Sequence, residues 1–437
     1  MRDETHQGGY PCEYCVRMNK TCQQQEPAQP AVKFIAFTQS SPTAQLSTHV
    51  GQPSDIIYLD HFASFIRRCQ FTRGFASIST DLAPLIQASP SLRDLAVAIG
   101  ALDASRRGSV SSFRGRESPR CIAFRSHGRS LRALGARLAT ADAAHGEDVL
   151  WSTFFLGLFE LISETSGDGW AKHMLYGTSK MLQLAGPAEQ SSSLRRQLFE
   201  AFRLLEASRA ILYGEDTFLS QGEWLRFQRV QAITRNHLCD PVERILTLMI
   251  QTSSFSKRFF GTIESVPEPL RSIDPSIDAL AHEGMELQQA IFSWHDEIIP
   301  YTDRADAYTQ LALTYYHSLL LFLARNYTYY ACWHHKTLPS LTRAEIDAHT
   351  TAIIDLSQNI VVASDIPGVT LMFPLRMGGA HAVEAQQRTN VLRILGQVYQ
   401  KGFVVSDRIT VDLRELWEFQ ELQSGELRDG ASAGSIE

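Results

Sequence analysis

The chain lacks what a β-fold or a standard nucleotide-binding enzyme needs. No sustained apolar/polar alternation occurs and no Asn-Gly pair joins two such runs, which argues against hairpins and sheets. No Gly-x4-Gly-Lys-Ser/Thr phosphate loop, helix-opening Gly-x-Gly-x-x-Gly or His-Glu-x-x-His is present. Gly430-Ala431-Ser432-Ala433-Gly434 matches a nucleophile elbow by letter only, because a polar tail stands where a strand and a helix are required. An all-helical enzyme would need clustered carboxylates for Mg²⁺, and Asp296-Glu297 runs straight into Ile298-Ile299-Pro300. Apolar runs such as Leu319 to Ala324 fall far short of the roughly 20 residues that cross a bilayer, and no secretory leader opens the chain. Net charge is −6, so bulk electrostatics do not favour nucleic acid and any contact with it must be local. Four of the seven cysteines (Cys69, Cys121, Cys239, Cys332) are scattered singly, which fits a reducing compartment better than a disulfide framework.

The other three cysteines are not scattered. Cys12, Cys15 and Cys22 form Cys-x2-Cys-x6-Cys, a spacing that lets thiolates turn back onto one metal ion. Zn²⁺ holds cysteine sulfur as thiolate in a tetrahedron, so three ligands leave one corner unfilled. His6 could complete a Cys3His site; the plain reading is three thiols in a tail.

Across 437 residues, 44% hydrophobic and 20% charged residues suit a globular body with a sizeable core. Residues 23–53, rich in Gln, Pro, Ser and Thr, read as a flexible linker that cannot offset its ordering entropy. A helix from Asp55, capped by Ser54, to Phe71 opens the folded part, and Ser91 to Asp94 reads as a capping box leading a helix to Ser105. Further helices are expected at 119–141, 147–162 (buried nearly all round), 170–184, 193–213, 241–260, 277–297, 306–333, 343–363, 382–399 and 411–423. The fold class is therefore all-α, a large multi-helix body behind a linker and a short cysteine segment.

Pro11 through Cys22, with Arg17 after the second cysteine and Lys20 before the third, resembles the second half of the DNA-binding module of fungal binuclear zinc cluster (Zn2Cys6-type) transcription factors. In that family six thiolates hold two zinc ions, and the first half carries the densest basic run. Only ten residues with one basic side chain, Arg2, stand ahead of Pro11. That leaves either a truncated gene model or a regulator that has lost direct DNA reading. Trp151 to Glu160, then Trp170, His173, Gly177, Met181-Leu182 and Gly186-Pro187, is similar to the central helical pair of the fungal-specific transcription factor domain, and Phe373-Pro374-Leu375 to its late Phe-Pro-Leu element. The resemblance implies four segments: a partial zinc-cluster DNA-binding segment (1–22), a linker (23–53), a helical regulatory domain (54–423) and a disordered acidic tail (424–437). It implies zinc on Cys12, Cys15 and Cys22, with Arg17 and Lys20 near phosphate. The expected partners are DNA, if the cluster is completed upstream or by a partner, a second copy or a related factor, and coactivators.

Several features have a sharp and a bland reading. Arg106 to Arg137 carries nine arginines against Glu117 alone; contact with DNA phosphates or a nuclear import signal competes with a solvated face paired to acids elsewhere, and the second is favoured. Glu160, Trp170 and His173 could form an acid/base site, but their apolar helical context favours packing. His334-His335 reads as a helix end. Asp412 to Glu437 interleaves seven acids with Leu413, Leu416, Trp417, Phe419 and Leu422, which suits an activation segment or an ordinary last helix equally. The sequence thus reads as a nuclear, non-enzymatic fungal transcription regulator of a metabolic gene cluster, secondary metabolism included. The alternatives are a helical interaction protein acting through a partner factor and, remotely, an all-helical enzyme.

Overall fold

Apolar residues at helical spacing, with Ser, Thr or Asp ahead of them, decide where the helices of this chain begin. Side chains of Ser118, Ser192, Asp240, Asp306 and Thr342 each accept a backbone N–H of the helix that follows, at 2.8–3.3 Å. Proline occupies the first helical position after Ser89, Ser118, Asp240 and Asp274, where its missing N–H costs nothing. The computed structural model describes residues 53–108, 117–167, 177–190, 192–234, 240–301, 303–333 and 336–433. Among these no strand occurs. The chain divides into two units, Met1–Val50 and Gly51–Glu437, and the described residues belong to the second.

Beside a single turn at Ile78–Asp81, the α-helices are α1 (Pro53–Arg67), α2 (Ala83–Ala88), α3 (Pro90–Arg107), α4 (Pro119–Leu138), α5 (Glu147–Ser163), α6 (Ser179–Ala185), α7 (Ser193–Tyr213) and α8 (Gly222–Thr234). They continue with α9 (Pro241–Ser265), α10 (Pro275–Ile298), α11 (Ala307–Asn326), α12 (Arg343–Ala363), α13 (Met372–His381), α14 (Ala385–Gln400) and α15 (Ser406–Ala433). In the first half α3 packs against α1, α4 and α5; in the second, α11 is surrounded by α9, α10, α12 and α13, and α15 lies across α13 and α14. Helix α7 touches α5, α9 and α13 and so joins the halves.

Helix α5 is the innermost element, as its continuous apolar run predicts. Every residue from Val149 to Phe159 is buried, and Trp151, Phe154 and Phe155 pack against Phe62, Phe71 and Phe75 at 5.3–6.3 Å between ring centroids. One cluster of buried side chains runs from Tyr58 to Trp417.

Helices 193–213 and 343–363 have the expected bounds; others differ for local reasons. The helix expected from Asp55 already begins at Pro53. Ser91 is not a cap: Ser89 is, Ser91 instead bonds Ser152 at 3.1 Å, and Asp94 turns to Arg129. The helix expected to reach Trp333 stops at Asn326, because Tyr327 and Trp333 fold back onto Phe259 at 4.9 and 5.6 Å. Of the helix expected over 170–184, Ser179–Ala185 is described and Trp170 lies outside the described residues.

Candidate functional site

The residues singled out for metal and DNA, Cys12, Cys15, Cys22, Arg17 and Lys20, lie outside the described residues, as do His6, Trp170, His173 and His334-His335. Among the described residues no group of three or more His, Cys, Asp or Glu side chains is placed to hold a metal ion.

The arginine-rich stretch largely resolves into ion pairs. Arg107 reaches Asp103 at 3.1 Å, Arg129 reaches Asp94 at 2.6 Å, Arg137 reaches Asp142 at 2.8 Å and Arg125 pairs with Glu117. Arg129 holds α4 to α3, with help from Ser130, whose hydroxyl donates to the Ser91 carbonyl at 2.8 Å. The paired-face reading therefore holds for these four.

A cleft of about 280 Å³ opens where the C-terminal ends of α1, α3, α12 and α14 converge, lined by Arg68, Asp103, Arg106, Arg107, Asp365 and Lys401 among others. Asp103 organises it, accepting from Arg68 at 2.9 Å and lying 3.2 Å from His61 Nδ1. Burial pushes the Asp103 carboxyl up, but the hydrogen bonds from Arg68 and His61 outweigh it and hold it below the usual range. Arg106 donates to the Gly402 carbonyl at 2.7 Å and Lys401 to that of Ser364 at 3.1 Å, so both cations close the ends of helices. Two carboxylates and the partial negative ends of four helices offset the four cations, which leaves the cleft no strong preference for an anion. Burial pushes the Cys69 thiol up to about 12, so it is no nucleophile.

Two histidines from neighbouring helices, His317 and His349, bring their Nδ1 atoms to 2.8 Å. Burial, and then the neighbouring His349 and His295, drive His317 down to about 3, so this pair is neutral at pH 7 and packs around Tyr316. Glu160 is half-buried on α5. A buried ion network has little trace in the sequence: Arg209 is fully buried and donates to both oxygens of Glu206, at 2.8 and 3.0 Å, and to Glu215 at 2.7 Å. Its one sequence signal is Glu206 three positions earlier on the same helix face. Its geometry is that of a structural network with no open face for a substrate.

A helical body with a buried, neutral histidine pair, a raised thiol and cations spent on helix ends offers surfaces for contact. The comparison with known families agrees: the model of the fungal specific transcription factor domain matches residues 57–428. The chain belongs to this family. The family is one of transcription factors, not of enzymes, so the chain is a fungal transcription regulator. Among curated proteins, 144 residues are 29% identical to "Uncharacterized protein AN5342" of Emericella nidulans, covering 31% of this chain and 31% of that protein. The match thus spans under a third of that relative's length. No solved structure matches.

Within this fungal specific transcription factor domain the quoted motifs are core and turn elements. Met181 and Leu182 are buried on α6, Gly186 ends that helix with φ +79°, and Phe373-Pro374-Leu375 is buried in the first turn of α13. Among the described residues no helix is long and apolar enough to cross a membrane.

Proposed function

We propose that the chain is a nuclear, non-enzymatic regulator of a metabolic gene cluster, in which the Cys12–Cys22 segment supplies zinc-dependent DNA contact and the helical body supplies regulatory contacts. The family match over residues 57–428, with a Cys-x2-Cys-x6-Cys segment ahead of it, carries this reading. Cys12, Cys15 and Cys22 would hold zinc as thiolates, and Arg17 and Lys20 would meet phosphate. Zinc there would supply the cross-link that orders so short a segment. Three thiolates fit three corners of its tetrahedron, so the fourth ligand comes from His6, from further cysteines upstream or from a partner. The unfilled corner also favours a second reading, a factor that reaches DNA through an intact relative.

Metal analysis of the purified full chain, with fluorescence anisotropy on GC-rich duplexes at two salt concentrations, tests this. Stoichiometric zinc, salt-dependent binding, and loss of both in Cys15→Ser are the expected results. A zinc-free chain whose DNA association needs a co-purifying partner, and is unchanged in Cys15→Ser, would move the function to the partner-dependent reading.

A further inference from the structure

The cleft at the ends of α1, α3, α12 and α14 holds polar groups whose bonding capacity is not used up. Asp103 is fully engaged by Arg68, His61 and Arg107. Arg107 spends only its Nε there, Arg106 spends one Nη on the Gly402 carbonyl, and Lys401 spends one of its ammonium donors on Ser364. Each cation therefore keeps N–H donors to offer, and all three residues line the cleft. Asp365, on the turn that follows α12, also lines it and is exposed. Lys401 feels the charge of Asp365, but among the described residues the Asp365 carboxylate accepts no hydrogen bond and joins no ion pair.

The apolar part of the lining is Ile366, Pro367 and Phe403, all buried. A volume of about 280 Å³ lies just under the range of pockets for drug-sized ligands, so an occupant is small. Burial lowers both Arg106 and Lys401, so each cation is short of counter-charge where it stands. A lone anion would gain from these donors and be repelled by Asp365. A lone cation would gain from Asp365 and be repelled by the three cations. A small molecule that carries both charges on one carbon satisfies both sides.

We infer that this cleft binds a free α-amino acid with a small apolar side chain, its carboxylate on the unspent N–H groups of Arg106, Arg107 and Lys401 and its ammonium on the Asp365 carboxylate. The side chain of the ligand rests on Ile366, Pro367 and Phe403. So placed, the ligand bridges the end of α3 to the turn after α12 and to the end of α14, and it stabilises the folded body by mass action as its concentration passes its Kd. The helical body thereby senses a metabolite, which goes beyond the zinc and DNA reading and does not rest on it.

Thermal melts of the full chain with millimolar alanine, valine or leucine, followed by isothermal titration, test this. The controls are N-acetyl-leucine and leucinamide, each of which keeps only one of the two charges. The free amino acids should raise the melting temperature and the capped forms should not. Asp365→Asn removes no bond of the unliganded protein, so it should leave that melting temperature in place while weakening binding at least about tenfold. Arg107→Gln should weaken binding from the carboxylate side. The measurement uses no DNA and no metal, so its failure and that of the zinc reading are distinguishable. A chain indifferent to all three amino acids, a shift reproduced by either capped form, or full binding by Asp365→Asn would each overturn the inference.

Discussion

Glu200 sits half-buried on α7, and its environment disfavours charge: burial first, then neighbouring Glu243, push its carboxyl up from 4.5 to about 7 against the pull of Arg203 and Arg196. Below pH 4.5 the group is protonated in both folded and unfolded chains, so it costs nothing. Between 4.5 and about 7 the unfolded chain sheds the proton while the folded chain keeps it, so stability falls as pH rises through that window. Above it the full penalty applies. Glu200→Gln should therefore stabilise the protein at pH 8 by about 2 kcal/mol, allowing for partial solvent contact, with the gain vanishing near pH 4.5. Urea unfolding at both pH values checks this, and a variant less stable than the parent at pH 8 would contradict the assigned cause. Nothing in the sequence marks Glu200, because its character comes from how the fold buries it and, after that, from Glu243 on another helix. Arg209 is similar: Glu206 beside it is visible in the sequence, but their burial is set by how α7 is enclosed.

Between elements, closeness of approach is set by glycines that look alike in the sequence and behave oppositely in the fold. An added Cβ at Gly100 would lie 1.8 Å from the Tyr58 carbonyl oxygen and 2.9 Å from the Phe62 nitrogen, both backbone atoms of α1. Gly100→Ala must separate α1 from α3 and should cost about 3 kcal/mol. Gly135→Ala on the open face of α4 should instead add up to about 1 kcal/mol, since alanine is the better helix former and meets nothing. Thermal melts of the two variants should move in opposite directions; a shared direction would show that helix propensity, and not approach, governs both.

The same contrast shows how far the elements could be read. Helices 193–213 and 343–363 were legible because Ser192 and Thr342 cap uninterrupted patterns. Helix α13 was not, because Pro374, Gly378 and Gly379 read as loop residues. In the fold the proline falls in the first turn, and the glycines admit Ile353 and Leu413, whose side chains would lie 3.0 and 2.4 Å from an added Cβ. Helix α8 was missed as well; only Trp224 and Gln228 are buried on it, too few for a clear apolar stripe.

At the scale of the molecule, the first described helices are tied to late stretches of the chain, including the one that leads into α15. Phe65 at the end of α1 packs on Phe403 at 6.3 Å, Gln70 donates its N–H to the Asp365 carbonyl at 2.9 Å, and Val405 donates to Leu161 at 3.3 Å. These long-range ties, joining residues more than two hundred positions apart, leave no trace in periodicity, which is why helices could be read from the sequence and their arrangement could not. They also mean that α15 closes the same core that α1 opens, so damage at one end should be felt at the other. Trp417 is the place to test it: it is 6% exposed, bonded to Gly379, and covered by the Arg388 guanidinium at 5.2 Å. Trp417→Ala should cost about 3–5 kcal/mol. If the core is one cooperative unit, urea unfolding followed by far-UV circular dichroism and by fluorescence of the remaining tryptophans should shift together. Trp151, Trp224, Trp294 and Trp333, spread from α5 to the chain beyond α11, report on both halves. Early loss of helical signal with fluorescence unmoved would instead make α15 a separable element. It could then leave its place on α13, and the hydrogen bond from Trp417 would be a latch and not part of a single core.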